Sequence, residues 1–488
     1  MATSETQTHA WDGKIFTTEG FVPASNGATF AATAPATGEV IATVGDPSTA
    51  DLDKAVADAV KAQKAWAALP YPERAKVFRR ASHLLSENPE RLVNWLIPEA
   101  GSGEGKAAFE VGVVIAELDE AANIASAPYG ELLRSKKNRM SYARKVPHGV
   151  VGVISPFNFP AILSMRSVAP ALALGNAVVL KPDPRTAISG GLALAELLEE
   201  AGLPAGLLHV LPGGAEVGKA LVAHPDVPCI SFTGSTPAGR AIGEAAGKLL
   251  KAVHLELGGN NAMLVMPDAD VEAAATIGAW GSFLHQGQIC MTTGRHLVPR
   301  AMYDDYVRIL AEKAAKIPVG DPAKGAPLGP IIDQKQLDNI HAIVEATVEA
   351  GASLVAGGEF TELFYRPTVL ANVPLDSPAF SQEIFGPVAP VVAYDTIEEA
   401  IDIINSSEFG LSASIITNNP FAAMELADQI HSGAIHINDA SVDDEAVVPF
   451  GGVKASAVGG RFGGNANLDT FTETQWVTVQ SEPQKYPF

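Results

Sequence analysis

Residues 150–181 read VVGVISPFNFPAILSMRSVAPALALGNAVVLK and set short β-branched runs on either side of a longer run rich in Ala and Leu. This alternation predicts strands at 150–154 and 177–181, with a helix at 161–173 between them. The pattern continues with strands at 207–211 and 229–233 and with helices at 187–201, 216–223 and 237–247. Such a series is typical of a parallel sheet with helices on its faces, so the sequence predicts an α/β fold.

A second α/β block extends from about residue 261 to residue 437, with helices predicted at 271–283, 303–315, 334–350, 397–405 and 421–430. Near the N-terminus, amphipathic stretches at 50–67 and 72–88 indicate packing helices. Residues 129–148 are rich in Lys and Arg and extended in pattern, while the tail after residue 464 alternates Thr and Val. We expect these two segments to form a small β arm that pairs with another subunit, the alternative being a solvated surface hairpin.

The composition is that of a large globular protein. The chain has 488 residues, of which 47% are hydrophobic, and its mean hydropathy is +0.14. Its 34 basic and 55 acidic residues give a net charge of −21, which disfavours nucleic acid or an anionic membrane as a partner. Two cysteines cannot build a disulfide framework, and the first 21 residues lack a signal-peptide pattern, so we expect a cytoplasmic protein without a membrane span.

Three segments carry candidate chemistry. Cys290 ends the amide-rich stretch FLHQGQIC (283–290), Glu256 begins ELGGNN (256–261), and Asn158 lies within SPFNFP (155–160). A thiol nucleophile, a carboxylate base and an amide donor for an oxyanion are what acyl chemistry at a carbonyl requires. Alternatives are a helix cap for Asn158 and an ion pair for Glu256, although we expect no basic partner for it within 253–265. Cys229 lies in an apolar strand and is expected to be a buried hydrophobe.

In this order, the three segments resemble the aldehyde dehydrogenase superfamily, and the resemblance covers nearly the whole chain. It implies a Rossmann-type cofactor domain (1–128 and 149–256), an α/β catalytic domain (257–440) and an oligomerisation arm and tail (129–148 and 441–488), in a homodimer or homotetramer. It also implies that Cys290 is the nucleophile, that Glu256 activates the deacylating water, and that Asn158 holds the oxyanion. No metal site is expected.

The resemblance further implies an NAD or NADP site. The turn FTGSTPAG (232–239) follows a predicted strand and opens a helix, as a pyrophosphate site requires, although its GxxxxG spacing alone is weak. A second glycine-rich stretch, GSGEGKA (101–107), lacks the P-loop residues and is interpreted as structural. The residues expected to contact the cofactor are Ser155, Pro156, Phe157, Lys181, Gly214, Thr233, Gly234, Ser235, Leu257, Glu383 and Phe385.

Cofactor choice depends on the residues after Lys181. NAD-preferring members of the family often carry a Glu three residues later, and Pro184 stands there in this chain, with Arg185 next to it. Without that carboxylate a 2′-phosphate is not repelled, so we expect the use of both NAD and NADP. The alternative is that Asp183 or a more distant acid discriminates between them.

Several segments are similar to the benzaldehyde and vanillin dehydrogenase branch, namely 165–176, 181–185, 449–454 and 460–464. We expect an apolar slot for an aryl aldehyde, with Arg166 either meeting a ring substituent or forming a surface ion pair. The predicted pocket residues are Phe159, Ile162, Arg166, Leu284, Met291 and Phe450. Phe462 stands where many members carry a second, proton-relaying glutamate. The alternatives are a semialdehyde or aliphatic aldehyde dehydrogenase and a cofactor-independent cysteine hydrolase or acyltransferase using His285.

Overall fold

The first of two large sheets has mainly parallel strands. The structure is a computed structural model that describes residues 9–488. Five central strands run parallel, and three further strands are joined at the edges by antiparallel pairing. In spatial order the strands are Gly20–Pro23, Lys14–Thr17, Leu208–Val210, Ala177–Lys181, Val150–Ile154, Cys229–Thr233, Ala252–Glu256 and Ala457–Val458. The predicted Rossmann-type sheet is confirmed.

The second sheet has seven strands, of which six are parallel and one edge strand is antiparallel. In spatial order they are Ser353–Ala356, Thr368–Ala371, Val388–Tyr394, Thr293–Pro299, Asn261–Val265, Ser412–Ile416 and Ala434–Ile437. Within one central strand, Ala262 and Leu264 join one hydrophobic core while Met263 and Val265 join another. Both faces of this sheet are therefore covered, as a parallel sheet requires.

Helices pack on the faces of both sheets. The α-helices are Thr49–Ala68, Tyr71–Glu87, Glu90–Ala100, Glu104–Ile124, Pro160–Ala173, Ala193–Glu200, Ala215–Ala223, Thr236–Lys248, Val271–Phe283, Tyr303–Lys316, Gln334–Glu349, Pro378–Ser381, Ile397–Asn405, Pro420–Ala427 and Ala466–Phe471. Most predicted helices agree with these bounds to within a few residues. The helices Glu90–Ala100, Glu104–Ile124, Pro378–Ser381 and Ala466–Phe471 were not predicted. None of the helices within residues 9–488 is both long and apolar enough to cross a membrane.

The single helix predicted at 187–201 is wrong in its first half. The chain forms a 3₁₀ turn at Pro184–Thr186, a π-helical segment at Ile188–Leu192 and an α-helix only from Ala193. The buried carboxylate of Glu99 accepts the N–H groups of Ile188 and Ser189 at 2.9 and 2.7 Å. These hydrogen bonds from a distant helix fix the start of the π-helical segment. The local pattern of hydrophobic residues could not predict them.

The small β arm forms within the chain. Met140–Pro147 pairs with Thr472–Val479 on one side and with Gly130–Leu132 on the other. The tail is thus the partner of the basic segment, while pairing with another subunit remains a prediction. The tail also contributes the edge strand Ala457–Val458 to the first sheet, so residues 441–488 are not confined to the arm. Two short hairpins complete the fold: Thr29–Thr33 with Val40–Gly45, and Phe360–Thr361 with Phe364–Tyr365.

Candidate active site

The loop before Cys290 has an unusual backbone. His285, Gln286 and Gly287 all adopt positive φ, at 46°, 57° and 65°. A side chain at Gly287 would overlap the backbone of Gly386, so only glycine fits there. Gln286 donates to two backbone carbonyls, those of residues 101 and 330, at 3.0 and 3.1 Å. The amide residues that marked this loop in the sequence therefore hold its strained backbone in place.

The backbone of Cys290 is fixed from the neighbouring strand. Asn261 donates its amide to the carbonyl of Cys290 at 2.8 Å. The Cys290 residue is partly exposed, but protein surrounds its thiol, and desolvation together with Glu383 and Glu256 raises its pKa to about 12. Cys229 is buried in a strand, and desolvation raises its pKa to about 12 as well. Cys290 lines a cavity.

That cavity has a volume of about 700 Å³. Asn158, which is only 3% exposed, lies in its wall together with Cys290. The following helix begins at Pro160 with Phe159 as its N-cap and without a side-chain capping bond, so Asn158 does not serve as its cap. All six predicted pocket residues line the same cavity: Phe159, Ile162, Arg166, Leu284, Met291 and Phe450.

One wall of the cavity was missed in the sequence. The glycine-rich stretch interpreted as structural joins two helices, and its residues 103–106 line the cavity. Lys106 is buried, with its ammonium 2.5 Å from the Glu110 carboxylate and 4.3 Å from the centre of the Phe159 ring. Burial lowers the pKa of Lys106. A lysine followed four residues later by a glutamate on an apolar helix was the available signal.

Arg166 forms a buried ion pair, not the surface pair considered as an alternative. Its guanidinium contacts Glu117 at 3.3 Å and also Asp444, and it is 1% exposed. It lies 4.7 Å from the centre of the Phe450 ring and 5.6 Å from that of Phe462. Burial raises the pKa of Glu117 to about 7, against the opposing effect of Arg166. Arg166 therefore borders the cavity with its charge already paired.

Glu256 ends a strand of the first sheet and is 2% exposed. The expectation of no basic neighbour within 253–265 is wrong, because His254 lies on the same strand face with its Nε2 3.4 Å from Glu256 Oε1. The N–H of Gly452 donates to the other carboxylate oxygen at 3.3 Å. Burial raises the pKa of Glu256, while His254, Gly452 and Arg461 oppose the increase. The hydrogen bond from Gly452 and the electrostatic effect of Arg461 come from residues about 200 positions away in the chain, so local sequence could not predict them.

The candidate pyrophosphate turn is built as predicted around a helix start. Thr236–Lys248 follows Ser235, whose side chain makes no capping bond. The backbone N–H groups of the first turn therefore lack a side-chain cap, which suits an anion. Gly234 donates its N–H to the carbonyl of Glu256 at 3.0 Å. Gly239 has a packing role, because a side chain there would overlap Leu257.

Other residues predicted to contact the cofactor lie at the carboxyl ends of the same parallel strands. Lys181 is 8% exposed, and within residues 9–488 its ammonium donates only to the carbonyl of Pro182, at 3.3 Å. Burial lowers the pKa of Lys181. Gly214 begins the helix Ala215–Ala223, and Ser155 bonds Ser164 through their hydroxyls at 2.7 Å.

Arg185 is bound by two carboxylates. Asp183 accepts from its Nε and Nη2 at 2.9 and 2.7 Å, and Asp333 accepts from its Nη1 at 2.6 Å. The guanidinium also lies 4.3 Å from the centre of the Phe157 ring, which meets Phe385 edge-on at 5.9 Å. Arg185 is thus held over an aromatic ring by its acidic neighbours, and it is not a free cation.

Glu383 lies against the glycine pair Gly258–Gly259. Its carboxylate accepts the N–H of Gly259 at 3.0 Å, and burial raises its pKa to about 7. A side chain at Gly258 would overlap this carboxylate, so the glycine pair after Glu256 admits Glu383. In the part of the chain that the structure describes, no cluster of three His, Cys, Asp or Glu side chains could hold a metal ion.

Comparison with known proteins gives the class to which this fold and site belong. Residues 21–477 match the aldehyde dehydrogenase family, and the chain belongs to that family. It is 56% identical to a vanillin dehydrogenase of Amycolatopsis sp. and 47% identical to the benzaldehyde dehydrogenase [NAD(+)] of Pseudomonas putida, over 480 residues and 98% of both chains in each case. Among solved structures, an aldehyde dehydrogenase from Brucella melitensis biovar abortus 2308 superposes with a TM-score of 0.94 at 33% identity, covering 99% of this chain and 100% of that one. An NAD+ complex of an aldehyde dehydrogenase from Bacillus cereus gives a TM-score of 0.93 at 33% identity, with 96% of each chain covered.

Proposed function

We propose that this protein oxidises aromatic aldehydes of the benzaldehyde and vanillin type to carboxylic acids, with NAD or NADP as the hydride acceptor. The observation that carries the proposal is the cavity of about 700 Å³ in which Cys290 and Asn158 meet an apolar wall containing Phe159 and Phe450. Similarity to a vanillin and a benzaldehyde dehydrogenase over 98% of the chain supports the same substrate class.

The side chains suggest a covalent route. The sulfur of Cys290 adds to the aldehyde carbon while the thiol proton passes to the carbonyl oxygen, which gives a thiohemiacetal. Loss of hydride to the nicotinamide cofactor and of the hydroxyl proton to water then leaves a thioester. Asn158 and the N–H of Cys290 would donate to the oxygen that carries negative charge, each such donor lowering the barrier by about 2.7–4 kcal/mol. Glu256 would take a proton from the water that hydrolyses the thioester, which releases the acid and the thiol.

The residues at the carboxyl ends of the first sheet suit a dinucleotide. The uncapped helix start after Ser235 fits a pyrophosphate, and the buried ammonium of Lys181 fits ribose hydroxyls. Glu383 lies within electrostatic reach of Cys290 and would hold the second ribose. Bound NAD or NADP supplies the hydride acceptor.

We infer that both cofactors are used. Pro184 carries no charge to repel a 2′-phosphate, and Asp183 is bound bidentately by Arg185, which neutralises its charge. Because Arg185 is itself bound by Asp183 and Asp333, it offers little net attraction to that phosphate. Acceptance of NADP would then rest on the uncharged Pro184, where a repelling carboxylate would otherwise stand, and not on a dedicated cation.

A semialdehyde substrate is less well supported. Its distal carboxylate needs a cation, and the two buried cations of the cavity wall already have partners. Lys106 is paired with Glu110, while Arg166 is paired with Glu117 and Asp444. A carboxylate entering the cavity would lose hydration without gaining a free counter-ion.

A cofactor-independent cysteine hydrolase is also less well supported. Such an enzyme needs a histidine that forms an ion pair with the thiolate. His285 is 2% exposed, and burial lowers its pKa well below the ordinary value, so it stays neutral. The pKa of Cys290 is raised to about 12, opposite to what a thiolate–imidazolium pair would produce.

The proposal is tested by following NADH and NADPH formation with benzaldehyde, vanillin, acetaldehyde and succinic semialdehyde. We expect the aromatic aldehydes to give the highest kcat/KM with either cofactor. Cys290→Ala should abolish turnover while cofactor binding persists, and Cys229→Ala is the matched control that should stay active. Turnover retained by Cys290→Ala, or no aldehyde oxidation by the parent protein, would refute the proposal.

We also propose that the β arm joins subunits in a homodimer or homotetramer. Analytical ultracentrifugation would measure the number of subunits.

A further inference from the structure

A histidine lies beside the carboxylate assigned as the base. His254 and Glu256 are two residues apart on the strand Ala252–Glu256, so their side chains emerge on the same face. They are 1% and 2% exposed. His254 Nε2 lies 3.4 Å from Glu256 Oε1, too far and too poorly aligned for a good hydrogen bond. Within residues 9–488, neither Glu256 Oε1 nor either ring nitrogen of His254 has a hydrogen-bond partner.

The surroundings isolate this pair. The ring of Phe462 meets the imidazole of His254 edge-on, with centroids 4.0 Å apart. Phe462 stands where the resemblance to the superfamily leads one to expect a second glutamate. The guanidinium of Arg461 adds a buried Nη1, which also lacks a partner in the described chain. Buried polar atoms without partners are costly, so their grouping around one carboxylate calls for a functional explanation.

We propose that His254 is a positioning residue for Glu256, donating from its protonated Nε2 to Glu256 Oε1 and so keeping the carboxylate ionised and oriented toward the thioester on Cys290. The inference rests on the proposed role of Glu256 as the base of the hydrolysis step. It requires the imidazole tautomer with its proton on Nε2. A small rotation of either side chain would shorten the present 3.4 Å separation to a hydrogen bond.

The electrostatics of the site explain why such a donor is needed. A buried carboxylate tends to stay protonated, and a protonated Glu256 cannot accept a proton from water. Burial raises the pKa of Glu256, and His254 is the strongest opposing influence, followed by the N–H of Gly452 and by Arg461. The raised pKa of Cys290 keeps its thiol uncharged near neutral pH, so the thiol supplies no positive charge that would stabilise an ionised Glu256. Removal of His254 therefore leaves the base more protonated near neutral pH.

Three substitutions of His254 distinguish a role in positioning Glu256 from a role in packing alone. His254→Gln places an amide N–H where Nε2 lies, whereas His254→Asn places one where Nδ1 lies and cannot reach Glu256. His254→Leu removes the donor altogether. We expect the acid limb of the pH profile of kcat to move up by about one pH unit in the Asn and Leu variants. At a given pH on the acidic side of that limb, kcat should then be about tenfold lower than in the parent protein. The Gln variant should keep the parent limb.

The same variants should separate the two halves of the reaction. If His254 acts on hydrolysis, the Asn variant should still form one equivalent of NADH rapidly in its first turnover. Later turnovers should slow while the acyl-enzyme accumulates. Thermal melting of the Gln and Asn variants should be similar, because both replace a buried imidazole with an amide. A packing role would instead lower the stability of both without moving the pH limb.

A titration without aldehyde gives a second readout. The carboxyl band of Glu256 can be isolated by infrared subtraction of the Glu256→Gln spectrum, and its midpoint followed with pH in the parent and variants. We expect the midpoint to rise by about one pH unit in His254→Asn and to stay unchanged in His254→Gln. Unchanged midpoints and pH limbs in folded Asn and Leu variants would overturn the inference. Failure of the parent to oxidise any aldehyde would instead refute the proposed function, since the infrared shift does not depend on turnover.

Discussion

The guanidinium of Arg166 lies 4.7 Å from the centre of the Phe450 ring, so a buried, doubly paired cation supports one aromatic wall of the substrate cavity. A cation–π contact of this kind attracts the guanidinium to the ring and so restrains the ring of Phe450. Phe450 comes from the C-terminal tail, whereas Arg166 comes from the first α/β unit. The cavity wall is therefore assembled from distant parts of the chain.

Phe450 should contribute to aromatic preference. A benzaldehyde ring removes more apolar surface from water than a methyl group, at about 25 cal/mol per Å², and Phe450 supplies part of the covering surface. We expect Phe450→Ala to lower kcat/KM for benzaldehyde about tenfold, a loss of ~1.4 kcal/mol, and to affect acetaldehyde much less. Phe421→Ala is the matched control, because Phe421 is 82% exposed and does not line the cavity. Equal losses for both aldehydes would place the aryl ring elsewhere.

The thiol of Cys290 should react slowly in the absence of cofactor. Its raised pKa of about 12 means that only a small fraction is thiolate at neutral pH. We therefore expect alkylation by iodoacetamide to accelerate about tenfold per pH unit between pH 7 and pH 9. The Cys229→Ala variant isolates the reaction at Cys290, and the Cys290→Ala variant should remain unlabelled while folded. A rate that is already maximal at pH 7 would show that the thiol is activated without cofactor.

The elements that the sequence predicted well are those whose signal is local. The strands at 150–154, 177–181 and 229–233 match the structure residue for residue, because continuous β-branched runs are typical of buried parallel strands. The loop at Cys290 and the glycines near Glu383 were also evident from short motifs. Their clustering around one cavity follows from the order of the strands.

What the sequence did not predict depends on contacts between distant segments. The π-helical start at Ile188 is capped by Glu99, and the charge of Arg166 is neutralised by Glu117 and Asp444. No local pattern contains such partners. The proximity of His254 to Glu256 was predictable, because residues two apart on a strand share a face. The expectation of no basic partner considered only lysine and arginine.

Loss of Arg166 should cost much more stability than loss of an exposed arginine. Arg166→Met would leave Glu117 and Asp444 buried without a counter-ion, which typically costs about 3–5 kcal/mol. Arg308→Met is the matched control, because Arg308 also contacts two carboxylates but its side chain is 57% exposed, and we expect a change below about 1 kcal/mol. Urea unfolding of both variants would measure the difference. Similar losses would mean that the buried cluster contributes no more than a surface pair.

The pairing of Arg185 leads to a prediction on cofactor choice. Pro184 opens the 3₁₀ turn after Lys181, and the adjacent Arg185 is bound by Asp183 and Asp333. In Pro184→Glu, a new carboxylate near the ribose would repel a 2′-phosphate but could accept hydrogen bonds from ribose hydroxyls. We expect kcat/KM to fall about tenfold more for NADP than for NAD, with Pro184→Gln as the uncharged control that changes both cofactors alike. Because the effect is electrostatic, it should diminish at high ionic strength. Equal losses for NAD and NADP in the Glu variant would show that this position does not contact the adenosine ribose.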